Sequence, residues 1–139
     1  MIQLYSSFFR KLKLNDVVIK INHRQVLNAI AKKIGVKDDF NDFVISLDKI
    51  DKVGTEKTKE ELKSKYNNVH EIDKLFEIIN KNPSHQEYLN FIKNYLGDNH
   101  SKLFDDLENI INMIDKDKKL ISIDFDLSLA RGLEYYTGM

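Results

Sequence analysis

The residues best suited to chemistry lie together near the end of the sequence, in Asp124-Phe125-Asp126-Leu127-Ser128-Leu129-Ala130-Arg131-Gly132-Leu133-Glu134-Tyr135-Tyr136-Thr137-Gly138, and Arg131 stands out among them. An arginine guanidinium is a planar fork of donors that matches phosphate or carboxylate oxygens. The glycine after it admits a tight turn or a close backbone approach to a ligand. On a strand, Tyr135 and Tyr136 face opposite ways, so one can line a pocket while the other packs. The same residues fit an ordinary hairpin with a surface arginine, and residue types alone leave both readings open.

The rest of the chain offers less. His23, His70, His85 and His100 share no ligand spacing, so no metal site is expected. There is no cysteine, which removes thiolate zinc sites, disulfides and cysteine nucleophiles. The five glycines are scattered and form no phosphate-binding loop. Asp48 and Lys52 stand four apart and read as a surface ion pair on one helix. Lys52, Lys57, Lys59, Lys63 and Lys65 cluster against Glu56, Glu60 and Glu61, as a solvated helix face or a weak phosphate-contacting patch.

Positioning the Arg131 cluster falls to the elements before it. A helix is expected over residues 2–12, packing through Tyr5, Phe8, Phe9 and Leu12. Val17-Val18-Ile19-Lys20-Ile21 reads as a strand, β-branched and nearly all apolar. Asn22 with Gln25 has capping-box spacing ahead of a helix carrying Leu27, Ile30, Ala31 and Ile34 on one face, which Gly35 stops. A further helix is marked by Phe40, Phe43, Val44 and Leu47, and Gly54 closes this region.

Residues 55–118 then show only helical periodicity. Thr58 with Glu61 and Ser84 with Glu87 have capping-box spacing. Apolar stripes run through Ile72, Leu75, Phe76 and Ile79, through Tyr88, Phe91, Ile92 and Tyr95, and through Leu103, Leu107, Ile110, Ile111 and Ile114. Residues 120–125 alternate like a strand, which residues 127–130 can extend; a turn at Gly132 and a second strand over 133–137 follow. Strands about a hundred residues apart can share one sheet, with the helical block inserted between them.

Bulk composition sets outer limits. The 139 residues suffice for one domain or two small lobes, and 42% hydrophobic with 32% charged residues fits a folded, soluble chain. With 22 basic and 22 acidic residues, net charge gives no general attraction to nucleic acid. No apolar run approaches the roughly 20 residues of a membrane span, and residues 1–14 lack the apolar core of a signal peptide.

The stretch from Arg131 to Gly138 is similar to the histidine-specific signature of histidyl-tRNA synthetases, except that Glu134 stands where that family usually has Asp. Phe125-Asp126-Leu127-Ser128-Leu129-Ala130 resembles the eukaryotic form of the preceding segment. Asn22-His23-Arg24-Gln25-Val26-Leu27 resembles the stretch downstream of class II motif 2. Ser46-Leu47-Asp48-Lys49-Ile50-Asp51-Lys52-Val53-Gly54 resembles the opening of the family's helical insertion.

The resemblance implies an α+β, predominantly helical fold in which partial class II synthetase catalytic-core elements flank a helical insertion domain. Residues 1–50 would belong to the core, 51–118 to the insertion, and 119–139 to the core again. It implies a parent enzyme that activates histidine with ATP to histidyl-adenylate and passes it to histidine tRNA. Arg131 would stabilise charge at the α-phosphate and engage histidine. Tyr135 and Tyr136 would line the histidine pocket, with Glu134 affecting how Tyr135 is oriented. Lys57, Lys59, Lys63 and Lys65 would contact tRNA. ATP and magnesium would serve the parent, a cytoplasmic homodimer, without binding tightly to this chain. Without motifs 1, 2 and 3 the chain alone is expected to be inactive. Two other readings are a synthetase-like regulatory subunit of histidine biosynthesis and a non-catalytic helical module that binds tRNA or protein.

Overall fold

The computed structural model describes residues 2–14, 17–81, 85–115 and 121–130. The elements are α1 (Ile2–Lys11), β1 (Val17–Ile21), α2 (Arg24–Ile34), α3 (Phe40–Asp48), α4 (Ile50–Val53), α5 (Thr55–Lys65), α6 (Val69–Lys81), α7 (His85–Leu96), a 3-10 turn (Asp98–His100), α8 (Ser101–Asp115) and β2 (Ile121–Phe125). The predominantly helical character expected from periodicity is present.

β1 and β2 pair in parallel, from Val17 opposite Ile121 to Ile21 opposite Phe125. The distant strands thus share a sheet, as expected. A parallel pair cannot close through a tight turn, so the intervening chain must cross over one face. Here the helical block makes that crossover. Ile19, Ile21, Ile123 and Phe125 turn toward the helices, while Val18 and Ser122 face outward and are exposed.

α2 is central, packing against α3, α6 and α7. Its stripe of Leu27, Ile30, Ala31 and Ile34 is buried. Gly35 ends it at φ 96°, where its N–H meets the Ala31 and Lys32 carbonyls and the Val36 N–H also reaches Ala31 O. This is a Schellman closure, which an L-residue in the left-handed region would resist. Phe43 of α3, Phe76 of α6 and Phe104 of α8 are the largest fully buried side chains. Each such burial contributes about 1.5–3 kcal/mol. Polar ties cross the same layer: Lys33 Nζ donates to the Tyr95 carbonyl, Asn68 Nδ2 to Lys33 O at 3.0 Å, and Tyr95 Oη to Glu71 O at 3.1 Å.

Several expectations are corrected. α1 forms, but only Phe9 of its apolar face is half-buried; Leu4, Tyr5, Phe8 and Leu12 are 51 to 71% exposed. Among the described residues α1 packs chiefly against α8, which leaves most of that face uncovered. Thr58 caps nothing: α5 starts at Thr55, and Thr58 sits buried inside it, donating to Gly54 O at 3.0 Å. Glu61 instead accepts from Ser46 Oγ at 2.9 Å and from Lys65 Nζ at 2.7 Å. Asp48 and Lys52 fall on either side of the break between α3 and α4, not on one continuous helix. In α8 the buried line is Phe104, Leu107 and Ile111, while Leu103 is half-buried and Ile110 is 42% exposed. Both lines satisfy a 3.6-residue period, and packing against α7 and β2 selects one. Ser84, and the turn and strand expected after Gly132, lie outside the described residues.

Candidate functional site

Arg131, Glu134, Tyr135 and Tyr136 lie outside the described residues. The structure does show how the chain is held up to the residue before Arg131. Residues 126–130 do not extend β2; they form a turn at its carboxyl end, beside the carboxyl end of β1. In parallel α/β sheets this is the edge at which ligands are commonly bound.

Asp126 organises the turn. Its N–H donates to Ile21 O at 2.9 Å, continuing the strand pairing by one bond. Its Oδ1 accepts from Ser128 N at 2.9 Å and Ser128 Oγ at 2.6 Å, and its Oδ2 accepts from Lys20 Nζ at 2.8 Å. A carboxylate bonded to the backbone two residues on closes an Asx turn and stops the extended conformation. That is why the alternating pattern fails to continue as strand. Burial alone would raise the Asp126 carboxyl; the bonds from Lys20 and Ser128 outweigh it and hold the group below its ordinary value. Lys20 is raised in return, chiefly by its bond to Asp126.

Asn22 supplies a second tie. It does not cap α2, contrary to its capping-box spacing; the cap is His23, whose Nδ1 accepts from Gln25 N at 3.2 Å. Asn22 Oδ1 accepts from His23 N at 2.7 Å, and its Nδ2 donates to Leu127 O at 3.3 Å and Leu129 O at 3.1 Å. The amide is taken up by the neighbouring turn, so the cap passes to the next residue. Leu127 and Ala130 bury their side chains beneath these bonds. Tyr88 of α7 closes the layer, its ring 6.2 Å from that of Phe125, and its phenol is pushed up by burial and by the Asp126 charge.

Of the four candidate lysines, three are engaged within the fold. Lys59 and Lys63 reach Asp73 of α6 at 2.8 and 2.6 Å, and Lys65 reaches Asp42 of α3 at 2.8 Å as well as Glu61. Lys57 is exposed and makes no ion pair among the described residues. These pairs join α5 to its neighbours, so the cluster is not simply a solvated face.

A separate cleft of about 470 Å³ opens between α2 and α8, lined among others by Gln25, Asn28, Lys32, His100, Lys102 and Asp106. It lies on a different face of α2 from the buried stripe. Among the described residues, no group of three or more His, Asp or Glu side chains is placed to hold a metal ion. No described helix is long and apolar enough to cross a membrane.

Sequence reasoning includes Asp126 and Ser128 in the candidate cluster without a role for either, passes over Lys20, and gives Asn22 the cap of α2. Asp126-Leu127-Ser128 carries a local turn signal. The Lys20–Asp126 pair carries none, because its members are 106 residues apart.

A family model described as histidyl-tRNA synthetase matches residues 1–139, the whole chain. The chain belongs to the histidyl-tRNA synthetase family. It is 39% identical to a histidine–tRNA ligase of Christiangramia forsetii, over 99% of this chain and 31% of that protein. A histidine–tRNA ligase of Azobacteroides pseudotrichonymphae is 36% identical over 99% of this chain and 30% of its own length. One from Flavobacterium johnsoniae is 34% identical over 99% and 30%. The chain therefore spans about three tenths of the length of these bacterial relatives. No solved structure matches it. In sequence, Arg131–Gly138 follows directly on the tethered turn.

Proposed function

We propose that this chain is the part of a histidine–tRNA ligase that carries the histidine-recognition stretch and the helical insertion. The observation that supports this most is a family match running the full length of the chain and ending in Arg131–Gly138. The parent enzyme activates histidine with ATP, releasing pyrophosphate, and transfers the histidyl group to the terminal ribose of histidine tRNA. Arg131 stabilises negative charge where the histidine carboxylate meets the α-phosphate, an electrostatic contribution aimed at the transition state. Tyr135 and Tyr136 line the histidine pocket, where a phenol paired with the imidazole rejects side chains lacking that partner.

In this reading residues 1–50 and 119–139 are class II catalytic-core elements and residues 51–118 are the insertion. The parallel β1–β2 pair, closed across the helical block, supports that division. Lys57 is the lysine best placed for tRNA phosphate, since phosphate would have to displace Asp73 from Lys59 and Lys63. In the same reading ATP and magnesium serve the parent enzyme, and neither is expected to bind this chain tightly. Homodimerisation and a cytoplasmic location belong to the same reading.

The test is histidine-dependent exchange of pyrophosphate into ATP by the full-length protein. Activity is expected, with Arg131→Ala lowering it by roughly 10²–10³-fold. The 139-residue chain alone is expected to stay at the no-enzyme blank. A full-length protein that exchanges no pyrophosphate with histidine would sink the reading.

A further inference from the structure

We propose that the cleft between α2 and α8 binds a small phosphorylated molecule of the size and polarity of a nucleoside monophosphate. This site is independent of the histidine–tRNA ligase reading, and the failure of either leaves the other standing. The spacing of α2 builds one wall. Leu27, Ile30, Ala31 and Ile34 turn to the core, which leaves Gln25, Asn28 and Lys32, at i, i+3 and i+7, on a shared outer face. All three are exposed and line the cleft. Ala29 lies among them and is buried, and its single methyl group leaves open the space that a longer side chain would fill. His100, Lys102, Leu103 and Asp106 line the cleft from the other side. The resulting volume of about 470 Å³ falls within the roughly 300–1,000 Å³ of small-molecule sites.

The charges in the cleft suit a phosphate ester that also carries hydrogen-bond donors. Lys32 and Lys102 make no ion pair among the described residues, unlike Lys33 next in the chain, which is tied to Tyr95 and Glu71. Two ammonium groups without internal partners are point charges available to phosphate oxygens, and the His100 ring can add an N–H donor. Gln25 and Asn28 supply amides, each able to donate and accept. Asp106 also makes no ion pair among the described residues; its charge acts on His23, which places it toward the N-terminal end of α2. Lys32 is in the last turn of α2, about 10 Å along the axis from Gln25. A ligand with phosphate at Lys32 and amine or hydroxyl groups at Asp106 satisfies both ends, as a nucleoside monophosphate does.

A nucleic acid backbone fits less well. α8 carries Asp106 and Glu108, whose charges repel a long polyanion approaching from solvent. A small ligand meets only Asp106 of these and can pair with it through a neutral donor.

The experiment is labelling of lysines with an amine-reactive reagent in the full-length protein, read residue by residue by mass spectrometry, with adenosine 5′-monophosphate or a short RNA duplex as probe. Readout by residue separates this cleft from any nucleotide site elsewhere in the parent. Adenosine monophosphate is expected to slow labelling of Lys32 and Lys102 about fivefold or more once it exceeds its Kd several times, leaving Lys37, exposed and outside the cleft, unchanged. Asn28→Phe, which fills the cleft from an exposed position, should abolish that protection without lowering the melting temperature. Lys32→Glu, read at Lys102, should do the same, and decides the matter if Asn28→Phe does not fold. No protection at up to about 10 mM nucleotide overturns the site. So does equal protection of Lys37, which marks unspecific charge screening, or protection by the RNA duplex alone, or protection that survives Asn28→Phe. Lys32 and Lys102 unreactive even without nucleotide would mean that the rest of the parent covers the cleft, which overturns it equally.

Discussion

His23 and Asp126 hold the two ends of the same junction, and their protonation states set the pH range over which it is held. His23 caps α2 with a lone pair on Nδ1, so the cap requires neutral imidazole. Burial lowers the His23 pKa from 6.5, partly opposed by the Asp106 charge. The unfolded chain therefore takes up the proton first as pH falls. The stability contributed by the cap is fully present above 6.5 and is lost as pH falls through the lower folded value. His23→Ala is expected to lower stability by about 1 kcal/mol at alkaline pH and to reduce the acid dependence; His23→Asn, which keeps a cap without titrating, should retain the stability. Urea denaturation at several pH values measures both. Asp126 is depressed below 3.8 and Lys20 raised above 10.5, so their pair contributes between those limits and is lost on either side. Lys20 is 56% exposed, which keeps that contribution within about 1 kcal/mol.

At the scale of elements, the breaks between α3, α4 and α5 decide how the helical block turns. Gly54 joins α4 to α5 at φ 90° and ψ 159°, a conformation reserved for glycine. Nothing lies within 4 Å of a Cβ built there, so any penalty for alanine is backbone strain alone. Gly54→Ala is expected to destabilise by about 1–3 kcal/mol. Gly35→Ala, at φ 96° and ψ 21° in the left-handed region that L-residues occasionally visit, should lose less, about 1–2 kcal/mol. Thermal or urea unfolding of the two variants gives the order, and a larger loss at Gly35 would contradict this account. Between α5 and α6, Asp73 holds Lys59 and Lys63 together and is itself kept below its ordinary value, first by the bond from Lys59. Asp73 and both lysines remain partly exposed to water, so these two ion pairs orient two helices and add little stability.

Over the whole molecule, one apolar core runs from α2 through the helical block to Ala130, and α1 stays largely outside it. Leu4, Tyr5, Phe8 and Leu12 expose a continuous apolar face, larger than scattered surface residues require. The isolated chain is expected to bind an apolar fluorescent dye. Phe8→Glu with Leu12→Gln should reduce that signal without lowering the melting temperature, since neither side chain is in the core. A lower melting temperature would mean that α1 is packed after all.

Much of this organisation was legible in the residues themselves. The β-branched run at 17–21, the stripe of Leu27, Ile30, Ala31 and Ile34, and the stop at Gly35 are local facts of periodicity and backbone freedom, and the fold keeps them. The order of strand, helical block and strand also followed from sequence, as did the family, because Arg131–Gly138 is a contiguous motif. Tertiary structure decided what depends on distant partners. Asn22 has capping-box spacing, yet its amide meets two carbonyls more than a hundred residues away, so His23 takes the cap. Thr58 has the same local pattern, but Gly54 starts the helix early and turns the hydroxyl inward. α8 could have buried either of two lines that share one period, and the neighbouring α7 and β2 chose Phe104. Local spacing specifies which bonds and faces a segment can offer; only the folded chain determines which partner arrives to use them.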